Sequence, residues 1–192
     1  MEDNKKWYTL GDMLKIGNQI LRKMETRALR RLGADVYNAL EQKDINDKSA
    51  QTVESNNKLA ERIFAKDSKA IYESKYIVAD VDNDSVGSSV EIGQIAGFNF
   101  MHETVTKYLN DGDIEGLKKF LKKHPFKEVF CHTSDIRHTD IPEVGMRRSF
   151  SINQYLYGAI LYLTRGRGIR TFKENLQYIK ETIFKIFNGG DK

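Results

Sequence analysis

Apolar and polar positions divide the chain into short apolar runs and longer stretches of helical spacing. Residues 7–10 are a brief apolar run that predicts a first strand. Over residues 15–32, Ile16, Ile20, Leu21, Met24, Ala28, Leu29 and Leu32 recur at helical intervals, predicting a helix capped by Gly33. Residues 35–37 read as a second strand, 38–54 as a long polar loop, and 55–72 as a helix marked by Leu59, Ile63, Ala70 and Ile71. Residues 76–81 are almost continuously apolar, the pattern of a strand covered on both faces. A polar turn over 82–87 leads into a helix opened by Ser88 and running to about Leu109, and 113–123 is a further helix. A strand over 128–132, a loop to about Ser149, and helices over 150–163 and 171–187 complete the pattern. The Gly-rich turn between the last two helices has room for a short strand.

Strands alternating with helices predict an α/β fold of the flavodoxin-like or Rossmann-like kind. That is an open, mostly parallel sheet of about five strands with helices on both faces. In such sheets ligands sit at the carboxyl ends of strands, which singles out residues 10–14, 82–91 and 132–153.

A length of 192 residues suits one domain, and 40% hydrophobic with 30% charged residues is ordinary for a soluble protein. No apolar run nears the ~20 residues needed to span a membrane, and no apolar core of a secretory signal follows the N-terminus. Cys131 is the only cysteine, so no internal disulfide can form, which fits a cytoplasmic location. The net charge of +4 resides largely on helix faces such as Lys118, Lys119, Lys122 and Lys123, and no nucleic acid polymer is expected as partner. Arg147, Arg148 and the basic stretch 165–170 read as surface. His102, His124, His132 and His138 lack metal-ligand spacing, and no dinucleotide or triphosphate loop is present, so neither a metal nor a cofactor is expected.

The segment 80–93 carries the most chemistry. A strand delivers Asp80, Asp82 and Asp84 to its edge, then Gly87-Ser88-Ser89 leads to Glu91 at a helix start. Helix-end amides and the dipole there are expected to hold Glu91 ionised, fit to attack an anomeric carbon as retaining glycosidases do. Ser88-x-x-Glu91 is equally a capping box, like Thr171-x-x-Glu174 further on, and local pattern alone leaves both readings open. Tyr8 fits a core strand as well as a site. Asp12 fits either a cap or a sugar-hydroxyl ligand.

The run from Gly87 to Gly93, with its Glu91-Ile92-Gly93 ending, resembles the nucleoside 2-deoxyribosyltransferase family, and the resemblance extends over most of the chain. It matches Glu91 to the family's nucleophile, Asp67 to a functional aspartate of the preceding helix, and Tyr8 to an active-site tyrosine before Gly11. Thr133-Ser134-Asp135-Ile136-Arg137 resembles a stretch after the fourth strand, and Asn153 matches an asparagine donated from a neighbouring subunit. Where the family carries an aspartate upstream of its nucleophile this chain has Ser85, and Asp84 and Asp82 are the nearest acids. About residues 99–126 stand as a helical insertion in a single domain spanning 1–192. The resemblance implies transfer of 2-deoxyribose between nucleobases through a covalent deoxyribosyl-Glu91 intermediate. Asp82, Asp84, Asp67 and Tyr8 would assist, and Gly11, Asp12, Gly87, Ser88 and Asn153 would bind substrate. It implies 2'-deoxynucleosides and free nucleobases as substrates, no cofactor, and a homo-oligomer. A 5'-monophosphate N-glycosidase and a catalytically silent nucleotide sensor are the alternatives.

Overall fold

A computed structural model describes residues 6–46, 52, 56–81, 84–125, 127–132 and 152–184. Strand β1 (Lys6–Leu10) lies between β2 (Asp35–Asn38) and β3 (Tyr76–Ala79) in a parallel sheet of order β2-β1-β3. Tyr8 is in register with Tyr37 on one side and Ile77 on the other. Helix α1 (Ile16–Arg31) joins β1 to β2. A 3-10 turn (Ala39–Glu41) and the short α2 (Lys43–Asn46) follow β2, and α3 (Leu59–Glu73) leads into β3. The long α4 (Val86–Asn110) and α5 (Ile114–Lys123) come next, then β4 (Cys131–His132), α6 (Gln154–Leu163), β5 (Ile169–Arg170) and α7 (Phe172–Ile179). A π-helical turn, Lys180–Phe184, extends α7.

The fold is α/β, and the described residues form a parallel sheet of three strands beside a separate pair. β4 and β5 pair in parallel with each other and bond to none of the first three strands among the described residues. Each is only two residues long and offers few groups to extend a ladder. Nor is β3 covered on both faces among the described residues: Tyr76 and Ala79 are exposed, as is Val81 beyond the strand. The loop expected after β2 is partly helical, since the Asn38 side chain accepts from Leu40 N at 3.0 Å and Ile45 is drawn into the core beside Leu59, Ile63 and Tyr155.

Helix α1 reverses its expected polarity. Its fully buried residues are Arg22 and Thr26, while Ile16, Ile20, Leu21 and Met24 are exposed. Arg22, 1% exposed, donates to Leu10 O at 2.7 Å, to Asp80 Oδ2 at 2.8 Å and to Glu25 Oε1 at 2.9 Å. A buried cation persists only when so paired, and this one ties the ends of β1 and β3 together. Gly11 is what admits it, for a β-carbon there would lie 2.2 Å from Arg22 Nη1. The basic stretch around Arg167 is likewise structural, its guanidinium stacking between Phe130 and Tyr178 at 5.1 and 4.9 Å and bonding Val129 O.

Residues 99–125 of the described chain contain no buried side chain, so α5 and the second half of α4 stand away from the core. No helix among the described residues is long and apolar enough to cross a membrane. α6 packs closely on α3 at Gly158, where a β-carbon would fall 2.2 Å from Ala60 O and 2.5 Å from Phe64 Cβ. Backbone cannot yield there as a flexible side chain would. Gly158→Ala is therefore expected to destabilise the protein by about 1–3 kcal/mol in urea titration, despite alanine's better helix propensity.

Candidate active site

A cleft of about 300 Å³ opens at the carboxyl end of β1. Gly11 to Leu14 form one wall, Asn46, Ile63 and Asp67 another, the start of α4 a third, and Ile152 to Tyr155 the last. The start of α4 contributes Ser85, Gly87, Ser88 and Glu91. Three carboxylates, Asp12, Asp67 and Glu91, thus face one space lined also by Met13, Leu14, Ile63 and Ile152.

Glu91 is 8% exposed, and its Oε1 accepts from Tyr8 Oη at 2.7 Å. The geometry excludes the capping box. The helix begins at Val86, so Ser88 lies inside it, and Ser88 Oγ pairs with Ser85 Oγ at 2.6 Å instead of with a helix-end amide. A genuine capping box stands at Thr171, whose N donates to Glu174 Oε2 at 2.7 Å while its Oγ1 accepts from Glu174 N at 3.1 Å. The expectation that the helix end keeps Glu91 ionised fails for the same reason. Glu91 is the sixth helical residue, past the turn where free amides and the dipole act. Burial instead pushes its carboxyl up to about 7, opposed by the Tyr8 hydrogen bond and reinforced by Asp67.

Asp67, 2% exposed, is pushed up to about 6 by burial, against the pull of its hydrogen bond from Tyr37 and of nearby Lys66. Tyr37 Oη donates to Asp67 Oδ1 at 2.7 Å. Asp12 differs: burial works against its charge, but bonds from Leu14 N at 3.0 Å and Asn18 Nδ2 at 2.6 Å, with Lys15 nearby, leave it below the usual carboxylate range. It stays anionic at the cleft wall.

The expected residues divide clearly. Glu91, Asp67, Gly11, Asp12, Gly87, Ser88 and Asn153 come together on the cleft, and Tyr8 stands behind Glu91. Asp84 is exposed and is not among the described residues that line the cleft. Asp82, the 133–137 stretch, Arg147 and Arg148 lie outside the described residues. Asn153 meets the cleft of its own chain. Its Oδ1 caps α6, accepting from Tyr155 N at 3.0 Å and Leu156 N at 3.1 Å, and its carboxamide packs on Gly87, where a β-carbon would lie 3.3 Å away. Delivery from a second subunit is not needed to bring Asn153 there.

Three side chains escaped the sequence reading. Tyr37 is the register partner of Tyr8, a signal visible only once the strands are aligned. Tyr155 anchors the far wall, its hydroxyl donating to Gln94 Oε1 and lying 3.2 Å from Ser68 Oγ. Ser85, noted only as a missing aspartate, is buried and lines the cleft. No known family model, curated protein or solved structure matches the chain.

Proposed function

We propose that the protein transfers the 2-deoxyribosyl group between nucleobases through a covalent ester on Glu91. The observation that carries this reading is the carboxylate of Glu91, buried, free of any capping duty, oriented by Tyr8 at 2.7 Å and facing the cleft. A carboxylate so held can bond to an anomeric carbon whose bond to nitrogen is breaking. In the first half-reaction a Glu91 oxygen bonds to C1' and the C1'–N bond gives its electron pair to the base. A proton from Asp67 passes to the departing nitrogen. A second base reverses these steps, and two displacements at one carbon restore the starting configuration.

Asp67 is favoured as the acid because it is the second buried carboxyl on the cleft and burial raises it to about 6, whereas Asp12 is held anionic. Glu91 is raised further, to about 7, so the reactive form is the one in which the pair's single proton sits on Asp67 and Glu91 is ionised. The anionic Asp12 also favours nucleosides over their 5'-monophosphates, since a phosphate beside it would be repelled. The apolar part of the lining favours a base over water as the second acceptor. In this reading β4 and β5 continue the sheet as β2-β1-β3-β4-β5, the strand order of flavodoxin-like folds.

The test is to incubate the protein with a 2'-deoxynucleoside and a second free base and to separate the products by chromatography. The new deoxynucleoside is expected. Neither exchange nor base release at high protein concentration would overturn the proposal and leave a silent binding domain. Base release without exchange would make the protein a hydrolase.

A further inference from the structure

Tyr37 has no role in the reaction as written, yet its side chain is tied to the site as firmly as that of Tyr8. Residues in register on neighbouring parallel strands project to the same face at a spacing of ~4.8 Å. The Tyr8 and Tyr37 rings accordingly stack, with centroids 5.5 Å apart and planes 10° from parallel. Their hydroxyls end on different acids, Tyr8 on Glu91 and Tyr37 on Asp67, each at 2.7 Å. The Tyr37 backbone is held too, its carbonyl accepting from Thr9 Oγ1 at 3.3 Å.

We propose that Tyr37 is a positioning residue which, by donating to Oδ1 of Asp67, leaves Oδ2 as the oxygen that holds and delivers the proton in the cleft. This role rests on the functional reading above, in which Asp67 protonates the leaving base. The surroundings of Asp67 single out Tyr37 as its only direct hydrogen-bond donor among the described residues. Lys66 on the same helix is bound to Asp44 of α2 at 2.6 Å, Glu91 and Tyr8 face Asp67 from α4 and β1, and Tyr155 faces it from α6. Burial and Asp44 favour the protonated acid, while Tyr37 and Lys66 favour the carboxylate. Loss of the phenol alone should therefore raise the Asp67 titration further.

Tyr37→Phe keeps the ring stack and removes only the hydroxyl. Exchange is expected to fall about tenfold, in kcat more than in KM, as for a lost aligning hydrogen bond. The acid limb of the pH–rate profile, which follows the lower titration of the Asp67–Glu91 pair, should move up by roughly half a unit. The Asp67 carboxyl followed by carbon-13 NMR should move the same way. On an Asp67→Asn background the same change should cost almost nothing further, because its effect passes through Asp67. An active wild type in which Tyr37→Phe shifts neither the acid limb nor the Asp67 titration, or costs as much without Asp67 as with it, overturns the role and leaves the functional reading standing. A wild type that neither exchanges nor releases base overturns both.

Discussion

Glu91→Gln is expected to lower deoxyribosyl exchange at least about a thousandfold, the scale on which removal of an attacking nucleophile acts. Glutamine is the informative replacement because its amide oxygen still accepts the Tyr8 hydrogen bond seen at 2.7 Å and its volume leaves the cleft wall in place. What is lost is the charged oxygen that bonds to carbon. Substrate affinity should change little, since the carboxylate's largest contribution comes as positive charge develops at C1'. Intact-protein mass spectrometry after mixing with a deoxynucleoside should show one added deoxyribosyl group on the wild type and none on the variant. A variant with full exchange, or a wild type whose adduct maps to another residue, would remove Glu91 from the reaction. Glu91→Ala would blur the result, because it also opens space beside Tyr8 and frees a buried hydroxyl.

The strands β1, β2 and β3, the helices between them and the cleft residues were legible where one local signal dominated. The apolar runs gave β1 and β3, and the Gly-Ser-Ser run gave the cleft wall carrying Gly87, Ser88 and Glu91. What was not legible depends on distant partners. Helical spacing predicted α1, but spacing does not say which face turns inward, and a buried Arg22 wins that contest by meeting Leu10 O and Asp80 across the sheet. The capping-box question at Ser88 had the same character. Residues Ser88 and Glu91 satisfy the pattern as well as Thr171 and Glu174 do, and only Tyr8, far away in the chain, decides that Glu91 faces the cleft. Tyr37 is invisible for a related reason, since a tyrosine on a short strand is ordinary until register sets it beside Tyr8. The pairing of β4 with β5 apart from the first three strands among the described residues could not be read either, because apolar pattern predicts strands and not their neighbours.

The same Glu91→Gln variant is expected to be more stable than the wild type at pH 8, and the difference should vanish towards pH 4. Burial raises the Glu91 carboxyl to about 7 and the Asp67 carboxyl to about 6, both above their values in an unfolded chain. The folded protein therefore holds protons that the unfolded chain has released, and stability falls as pH rises from about 4 to about 7 before levelling off. For Glu91 the displacement corresponds to on the order of 3 kcal/mol by pH 8, the free-energy cost of keeping that carboxylate charged inside the protein. Glutamine is neutral at every pH and escapes that cost. Urea unfolding of both proteins at pH 5 and pH 8 would measure it, and equal differences at the two pH values would mean that Glu91 ionises as freely in the folded protein as in water. The same physics joins stability to chemistry. Burial that makes the ionised carboxylate costly also leaves it poorly solvated and reactive towards a carbon that gains positive charge, so the gain in stability and the loss of exchange should appear together in one substitution.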